Sequence, residues 1–207
     1  MRWTRQAWTT WTSTGALALT LLLLTATPAP AQTEPSPAEK YFTNVELVNH
    51  HGETMHLYRD LLQDKIVVID TIFTDCTGIC PVMSKTMARI QEHVGDRMGE
   101  DVHLISISVD PETDTPAKLR KMAETYGAGP GWYFLTVKKE NVDLALQKLG
   151  GYVENPEAHN AILIMGNTRT GLWKKALGLA ASSKILPIFD SVWQDPGPQA
   201  DESGTSR

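Results

Sequence analysis

Cysteine is scarce in this chain. Only Cys76 and Cys80 are present among 207 residues. No cysteine lies near residue 31, which excludes a lipid anchor on an N-terminal cysteine. A disulfide between the two would close a very small loop and add little stability, because the entropic stabilisation grows with loop length. A reactive or metal-binding role therefore explains the two cysteines better than a contribution to stability does.

Long hydrophobic runs are also missing, whereas a bilayer span needs about 20 apolar residues. The longest run, Gly15 to Ala26, is shorter, follows Arg2 and Arg5, and precedes an Ala29-Pro30-Ala31 cleavage site. This combination predicts a secretory signal peptide over residues 1–31 and a periplasmic protein. Without cleavage, the same segment would anchor the protein to the inner membrane.

Positive charge is in deficit. The formal net charge is −5 at pH 7, and loss of residues 1–31 removes two arginines and no acidic residue, giving −7. An acidic surface argues against nucleic acid or an anionic membrane as a partner. Membrane contact is therefore expected only through a client protein or an uncleaved anchor. Export also places both cysteines in an oxidising compartment, where a disulfide is their default state.

The rest of the chain divides into three parts. Proline, serine and glutamate concentrate in residues 32–40 and predict a linker. Residues 195–207 combine proline, glycine and acidic residues and predict a disordered tail. Between them, residues 41–194 show no internal repeat and are numerous enough for one domain with a full core.

Strands alternate with helices in this domain. Strands are predicted at Val45–Val48, Thr54–Leu57, Ile66–Phe73, Val102–Val109, Tyr133–Val137, Ala161–Met165 and Leu172–Ala176. Helices are predicted at Pro81–Val94, Pro116–Tyr126, Val142–Leu149 and Ser182–Trp193. The first two strands form an N-terminal β-hairpin, and the last two close the sheet antiparallel. This order predicts an α/β, thioredoxin-like fold, with a central mixed sheet flanked by helices.

The two cysteines lie between a buried strand and a helix. A helix N-terminus stabilises a thiolate over a thiol, and the thiolate attacks disulfides and binds soft metals. On a helix, residues four apart have Cβ atoms ~5–6 Å apart, whereas an unstrained disulfide needs ~3.5–4.5 Å. With Cys76 in the turn before the helix, the two cysteines can form a disulfide, remain as two thiols, or bind one metal ion together. Two ligands leave a metal site incomplete, so a third is expected elsewhere.

Histidine is the natural source of a third ligand. The chain has six: His50, His51, His56, His93, His103 and His159. His159 precedes the strand at Ala161, in a loop that faces the cysteine turn in a thioredoxin-like sheet, so geometry favours it. By spacing alone, a loop histidine is more often a surface residue. Met83 and Met87 are also possible thioether ligands, but their helical spacing is more typical of core residues.

Two thiolates and one imidazole make a soft site of low coordination number. Such a site suits Cu(I) and tolerates Cu(II). Zinc would prefer a fourth ligand.

Three segments resemble the Sco/SenC family of copper chaperones. Phe73–Pro81 (FTDCTGICP) resembles the family signature F-T-x-C-x-x-x-C-P. Ser106–Pro116 is similar to its S-V-D-P-x-x-D-T-P segment, and Trp132–Thr136 resembles its W-x-F-L-T strand. His159 stands where the family has its distal histidine. The resemblance covers residues 42–193, nearly all of the predicted mature chain.

The resemblance implies a thioredoxin-like, non-enzymatic copper chaperone. It implies a copper ion bound by Cys76, Cys80 and His159 and delivered to a subunit of cytochrome c oxidase. The pair would have to be reduced to accept Cu(I), which implies a periplasmic thioredoxin-like reductant as a second partner. The chain departs from the pattern at Val137, where glycine is usual, and at Asn160, where serine is common. The client can therefore be another exported copper enzyme.

Two catalytic alternatives use the same cysteines. A thiol-disulfide oxidoreductase would use Cys76 and Cys80 as its redox pair, although thioredoxins have C-x2-C and a cis-proline where this chain has Asn160. A thiol peroxidase is indicated by the T-x-x-C match ending at Cys80. That motif also needs a proline where this chain has Phe73.

Overall fold

One mixed β-sheet organises the chain, and helices cover both of its faces. The computed structural model describes residues 34–155 and 161–197. Its strands are β1 (Glu46–Asn49), β2 (Thr54–His56), β3 (Ile66–Ile72), β4 (Val102–Ser108), β5 (Trp132–Thr136), β6 (Ile162–Asn167) and β7 (Leu172–Leu177). Its α-helices are α1 (Pro37–Phe42), α2 (Cys80–Val94), α3 (Pro116–Thr125), α4 (Lys139–Leu149) and α5 (Ser182–Trp193). A π-helical turn occupies Leu57–Leu62, and a 3-10 turn occupies Gly95–Arg97.

The strand order is β2-β1-β5-β4-β3-β6-β7. Strands β3, β4 and β5 are parallel, so their carboxyl ends share one edge of the sheet. Strand β6 runs antiparallel to β3, with Ile69 opposite Ile164. The start of β6 therefore lies at the same edge as the end of β3. We call this the cysteine edge, because the chain leaves β3 there towards Cys76.

Two apolar cores, one on each face of the sheet, hold these elements in place. Every residue of β3 and β4 is buried, as expected for central strands covered on both faces. One core packs α2, α3 and α5 against the sheet and includes Trp132, Phe134 and Phe189. The other packs α4 and the π-helical turn against the opposite face.

The predicted fold class is confirmed. The N-terminal hairpin forms, since β1 and β2 pair antiparallel. The stop predicted for α2 is also confirmed, because Gly95 caps the helix with φ of 60°. Thr115 starts α3 as predicted, since its hydroxyl accepts the Lys118 N–H at 3.3 Å. Helix α5 has the predicted bounds even though Pro187 lies inside it.

Helix α1 begins inside the segment predicted as a linker, residues 32–40. The Ser36 hydroxyl accepts the Glu39 N–H at 3.1 Å, and Pro37 occupies the first turn. Serine as N-cap and proline at the first helical position are helix-start signals, and the linker-like composition concealed them. The π-helical turn at Leu57–Leu62 was not predicted.

Some predictions fall outside the described residues. These are the signal peptide at residues 1–31 and most of the tail, since the structure describes only residues 195–197 of it. The division into signal, linker, domain and tail stays a prediction. In the part of the chain that the structure describes, no helix combines the length and apolar character needed to cross a bilayer.

Candidate metal centre

The two cysteines lie on the connection from β3 to α2. Cys76 lies in a turn closed by its N–H donating to the Phe73 carbonyl at 3.2 Å. Cys80 is the first residue of α2, whose N-cap is Ile79 and has no capping side chain. The predicted arrangement, with one thiol in the turn and the other at the helix start, is confirmed.

The two thiols differ in exposure. Cys80 is 1 % exposed, whereas Cys76 is half-buried. Neither cysteine forms a disulfide, and Cys76 lies near enough to Cys80 to help raise the pKa of its thiol. Two neighbouring thiols at one strand–helix junction can share a metal ion or form a disulfide.

Burial changes the acidity expected for Cys80. Desolvation, followed by the hydrogen bond and charge of Cys76 and the charge of Asp70, raises the pKa of the Cys80 thiol to about 12. The prediction that the helix N-terminus favours the thiolate is therefore wrong for Cys80, because burial disfavours the charged form of its thiol. Cys80 is a thiol at neutral pH until a metal ion or an oxidation step displaces its proton.

Asp70 is a buried carboxyl group in the middle of β3 that the sequence analysis missed. It is 1 % exposed, and one oxygen accepts the Ser106 hydroxyl at 2.6 Å. The indole N–H of Trp132 donates to the same hydroxyl at 3.0 Å. The other oxygen, Oδ2, has no hydrogen-bond partner among the described residues. Desolvation raises the pKa of Asp70 to about 7.

Asp114 anchors the cysteine turn and was also missed. Its carboxylate accepts the Thr74 N–H at 3.1 and 3.3 Å, the Thr74 hydroxyl, and the Ser108 hydroxyl at 2.6 Å. Asp114 is 1 % exposed and directly precedes the N-cap of α3. One carboxylate therefore joins the end of β4 and the start of α3 to the turn that carries Cys76.

His159, the predicted third ligand, lies outside the described residues. Its segment leads into β6, which starts at the cysteine edge. Ala161, the described residue before β6, is buried and belongs to the same core as α2. The ligand role of His159 stays a prediction.

Two of the other histidines lie far from the cysteines. His103 pairs with Val67, five residues before the end of β3, which separates it from the cysteine edge by ~17 Å. Its Nδ1 lies 3.0 Å from the Leu61 carbonyl. His93 is thirteen residues along α2 from Cys80, or ~20 Å, and its Nε2 lies 2.7 Å from Asp190.

The hairpin histidines belong to β1, β2 and their turn, which β4 and β5 separate from β3. His50 is buried and its Nδ1 accepts the Phe134 N–H at 3.2 Å. Desolvation lowers the pKa of His50 to about 4, so it is neutral at pH 7. His56 lies 3.0 Å from Asp60, and His51 is exposed. Within residues 34–155 and 161–197, no three His, Cys, Asp or Glu side chains are grouped to hold a metal.

The methionines of α2 are core residues. Met83 is 1 % exposed and Met87 is fully buried, and both belong to the core that α2 forms with the sheet. The core interpretation of their spacing is confirmed.

The fold and the paired thiols define a thioredoxin-like α/β protein with a C-x3-C pair at a strand–helix junction. The family model for SCO1/SenC matches residues 33–175. The chain therefore belongs to the SCO1/SenC family, as its motifs indicated.

Known proteins support this assignment. A SCO1 protein homolog of Bacillus subtilis is 34 % identical over 118 residues, which cover 56 % of this chain and 60 % of the relative. The chain thus spans about three fifths of that relative. The solved structure of BsSco, a member of the Sco family of cytochrome c oxidase assembly proteins, is 27 % identical with a TM-score of 0.59. The match covers 72 % of this chain and 91 % of BsSco.

The yeast protein Sco1, solved with copper bound, shares the fold. It is 18 % identical with a TM-score of 0.61, and the match covers 74 % of this chain and 92 % of Sco1. This likeness shows the fold alone.

Proposed function

We propose that the protein is an exported copper chaperone that binds one copper ion through Cys76, Cys80 and His159. The observation that carries the proposal is the pair of neighbouring thiols between β3 and α2, Cys76 half-buried and Cys80 buried. Thiolate sulfur is the soft donor that Cu(I) prefers. The chain's membership of the SCO1/SenC family, and the part of the related BsSco in cytochrome c oxidase assembly, support the same function.

The local structure fits copper as a transient cargo. Because Cys76 is only half-buried, an incoming copper ion can reach its sulfur from solvent. Cys80 then provides the second sulfur ligand. Binding at Cys80 must release its proton, because the pKa of the free thiol is about 12. His159 supplies a third donor from the segment that leads into β6. A reductant that keeps the pair open is required, since a disulfide offers copper no thiolates.

Delivery of the copper to an oxidase subunit, or to another exported copper enzyme, is the second half of the proposal. The periplasm is the proposed location. The two cysteines form no disulfide in the structure, and a reversible disulfide between them would be the copper-free resting form in an oxidising compartment.

Metal analysis of the reduced protein tests the binding site. We expect one copper per chain, and sharply weaker binding in Cys76→Ala, Cys80→Ala and His159→Ala, since each removes one donor. His51→Ala is the matched control, because it removes an exposed loop histidine and should leave copper binding unchanged. Unchanged copper content in His159→Ala would remove the third ligand from the proposal.

A thiol-disulfide oxidoreductase is the second proposed function. The observation in its favour is the difference in burial of the two thiols, because half-buried Cys76 can attack a disulfide and buried Cys80 can resolve the product. Reduction of insulin disulfides by the copper-free protein tests it. Vigorous turnover would favour the oxidoreductase, and slow reduction with tight copper binding favours the chaperone.

A further inference from the structure

A groove of about 360 Å³ opens directly beside Cys76. Its two walls are the cysteine turn and one face of α3, with Tyr126 at the end of that helix. We call it the lysine groove, because Lys118 and Lys121 of α3 line it. Both lysine side chains are exposed to solvent.

The face of α3 that lines the groove carries no acidic residue. It consists of Lys118, Lys121, Met122 and Thr125, which are spaced i, i+3, i+4 and i+7 and so share one side of the helix. Among the described residues that line the groove, Asp75 on the opposite wall is the one acidic side chain. The groove thus has positive charge in a chain whose net charge is −5.

Cys76 lines the lysine groove, and hydrogen bonds hold the two walls of the groove together. Cys76 lines it, whereas Cys80 is buried behind the turn. Tyr126 lies near both thiols, since burial and then the charges of Cys80 and Cys76 raise its pKa. Asp114 joins the cysteine turn to the start of α3 through its hydrogen bonds to Thr74, so the two walls are tied together.

We propose that the lysine groove docks an acidic segment of the protein that receives copper from Cys76. Positive charge beside the Cys76 sulfur attracts an acidic partner to the groove, and the negative net charge of the remaining surface disfavours its binding elsewhere. Met122 and Tyr126 add the apolar and aromatic surface common at interface cores. The identity of the partner rests on the proposed function, whereas the charge selectivity at Cys76 does not.

Thiol exchange with charged peptides tests the groove without copper. The probes are three short peptides with one cysteine activated as a 2-pyridyl disulfide, flanked by Glu, Gln or Lys. The Cys76 thiolate forms a disulfide with the peptide sulfur, the peptide–pyridyl S–S bond breaks, and pyridine-2-thione leaves with the proton that Cys76 gave up. The initial rate of thione release from the reduced protein is measured. Loss of the fast reaction in Cys76→Ser assigns it to that residue.

We expect the Glu peptide to react about tenfold faster than the Lys peptide at low ionic strength. The ratio should fall towards one as added salt shortens the screening length to a few ångströms. The double variant Lys118→Glu/Lys121→Glu should invert the ratio, whereas Lys184→Glu, an exposed change on α5, should leave it almost unchanged. The ratio is the readout because a change in Cys76 reactivity affects all three peptides equally.

A ratio of one in the wild type, or a ratio that survives the double variant, would overturn the lysine groove. An equal effect of Lys184→Glu would overturn it too, since overall charge would then be the cause. If charge selectivity is absent but copper binding is intact, only the docking role of the lysine groove is refuted. If charge selectivity is present but the protein does not bind copper, only the proposed chaperone function is refuted.

Discussion

Asp70→Asn should change how stability depends on pH. Asp70 is 1 % exposed and its folded-state pKa is raised from 3.8 to about 7, chiefly by desolvation. A raised pKa means that the folded protein holds a proton that the unfolded chain releases. The stabilisation from the neutral carboxyl is therefore complete below about pH 4 and is lost as the pH rises to about 7.

The size of the effect follows from the shift. Each pH unit between the unfolded and folded pKa values costs about 1.4 kcal/mol, so the wild type should lose about 4 kcal/mol from this one group. Asparagine stays neutral and keeps an oxygen to accept the Ser106 hydroxyl. Its amide N–H lacks a described partner at the Oδ2 position, which costs about 1–3 kcal/mol at every pH.

Urea unfolding of both reduced proteins between pH 4 and 8 measures this effect. The free energy of unfolding of the variant, relative to the wild type, should rise by about 1.4 kcal/mol per pH unit and level off above pH 7. The other titrating groups cancel in the comparison. Asp96→Asn, at an exposed position, should give a flat difference. A flat difference for Asp70→Asn would refute the buried, protonated carboxyl.

Three further changes have defined outcomes. Asp114→Ala leaves the Thr74 N–H without its acceptor and should cost about 1–3 kcal/mol in urea unfolding, with faster thiol labelling of the loosened turn. Gly166→Ala would press a Cβ into the Trp173 ring, so we expect a loss of about 1–3 kcal/mol and a changed tryptophan emission. Apparent Cu(I) affinity should rise at least about tenfold per pH unit from pH 6 to 8, because copper displaces the Cys80 proton. Chelator competition measures it, and a pH-independent affinity would contradict the high pKa of Cys80.

Local signals in the sequence were enough to place most elements. The end of α2 at Gly95 and the start of α3 at Thr115 depend on residues within one turn of the boundary. The position of the two cysteines between β3 and α2 is local in the same way. Helix α1 has equally local signals at Ser36 and Pro37, but its composition resembles a linker.

Contacts distant in sequence could not be predicted in this way. Asp114 anchors Thr74 across 40 residues, and Ser106 contacts Asp70 across 36. A lone acidic residue in the apolar strand Ile66–Ile72 was the available signal for Asp70. The acidity of Cys80 was misjudged because burial depends on packing, whereas the helix start is visible in sequence.

X-ray absorption at the copper edge tests the central claim most directly. The reduced wild-type protein is loaded with one equivalent of Cu(I), and the first coordination shell is fitted. We expect two sulfur ligands and one imidazole nitrogen, with the nitrogen lost in His159→Ala and retained in His51→Ala. A shell with one sulfur, or with an imidazole that persists in His159→Ala, would contradict a site built from Cys76, Cys80 and His159.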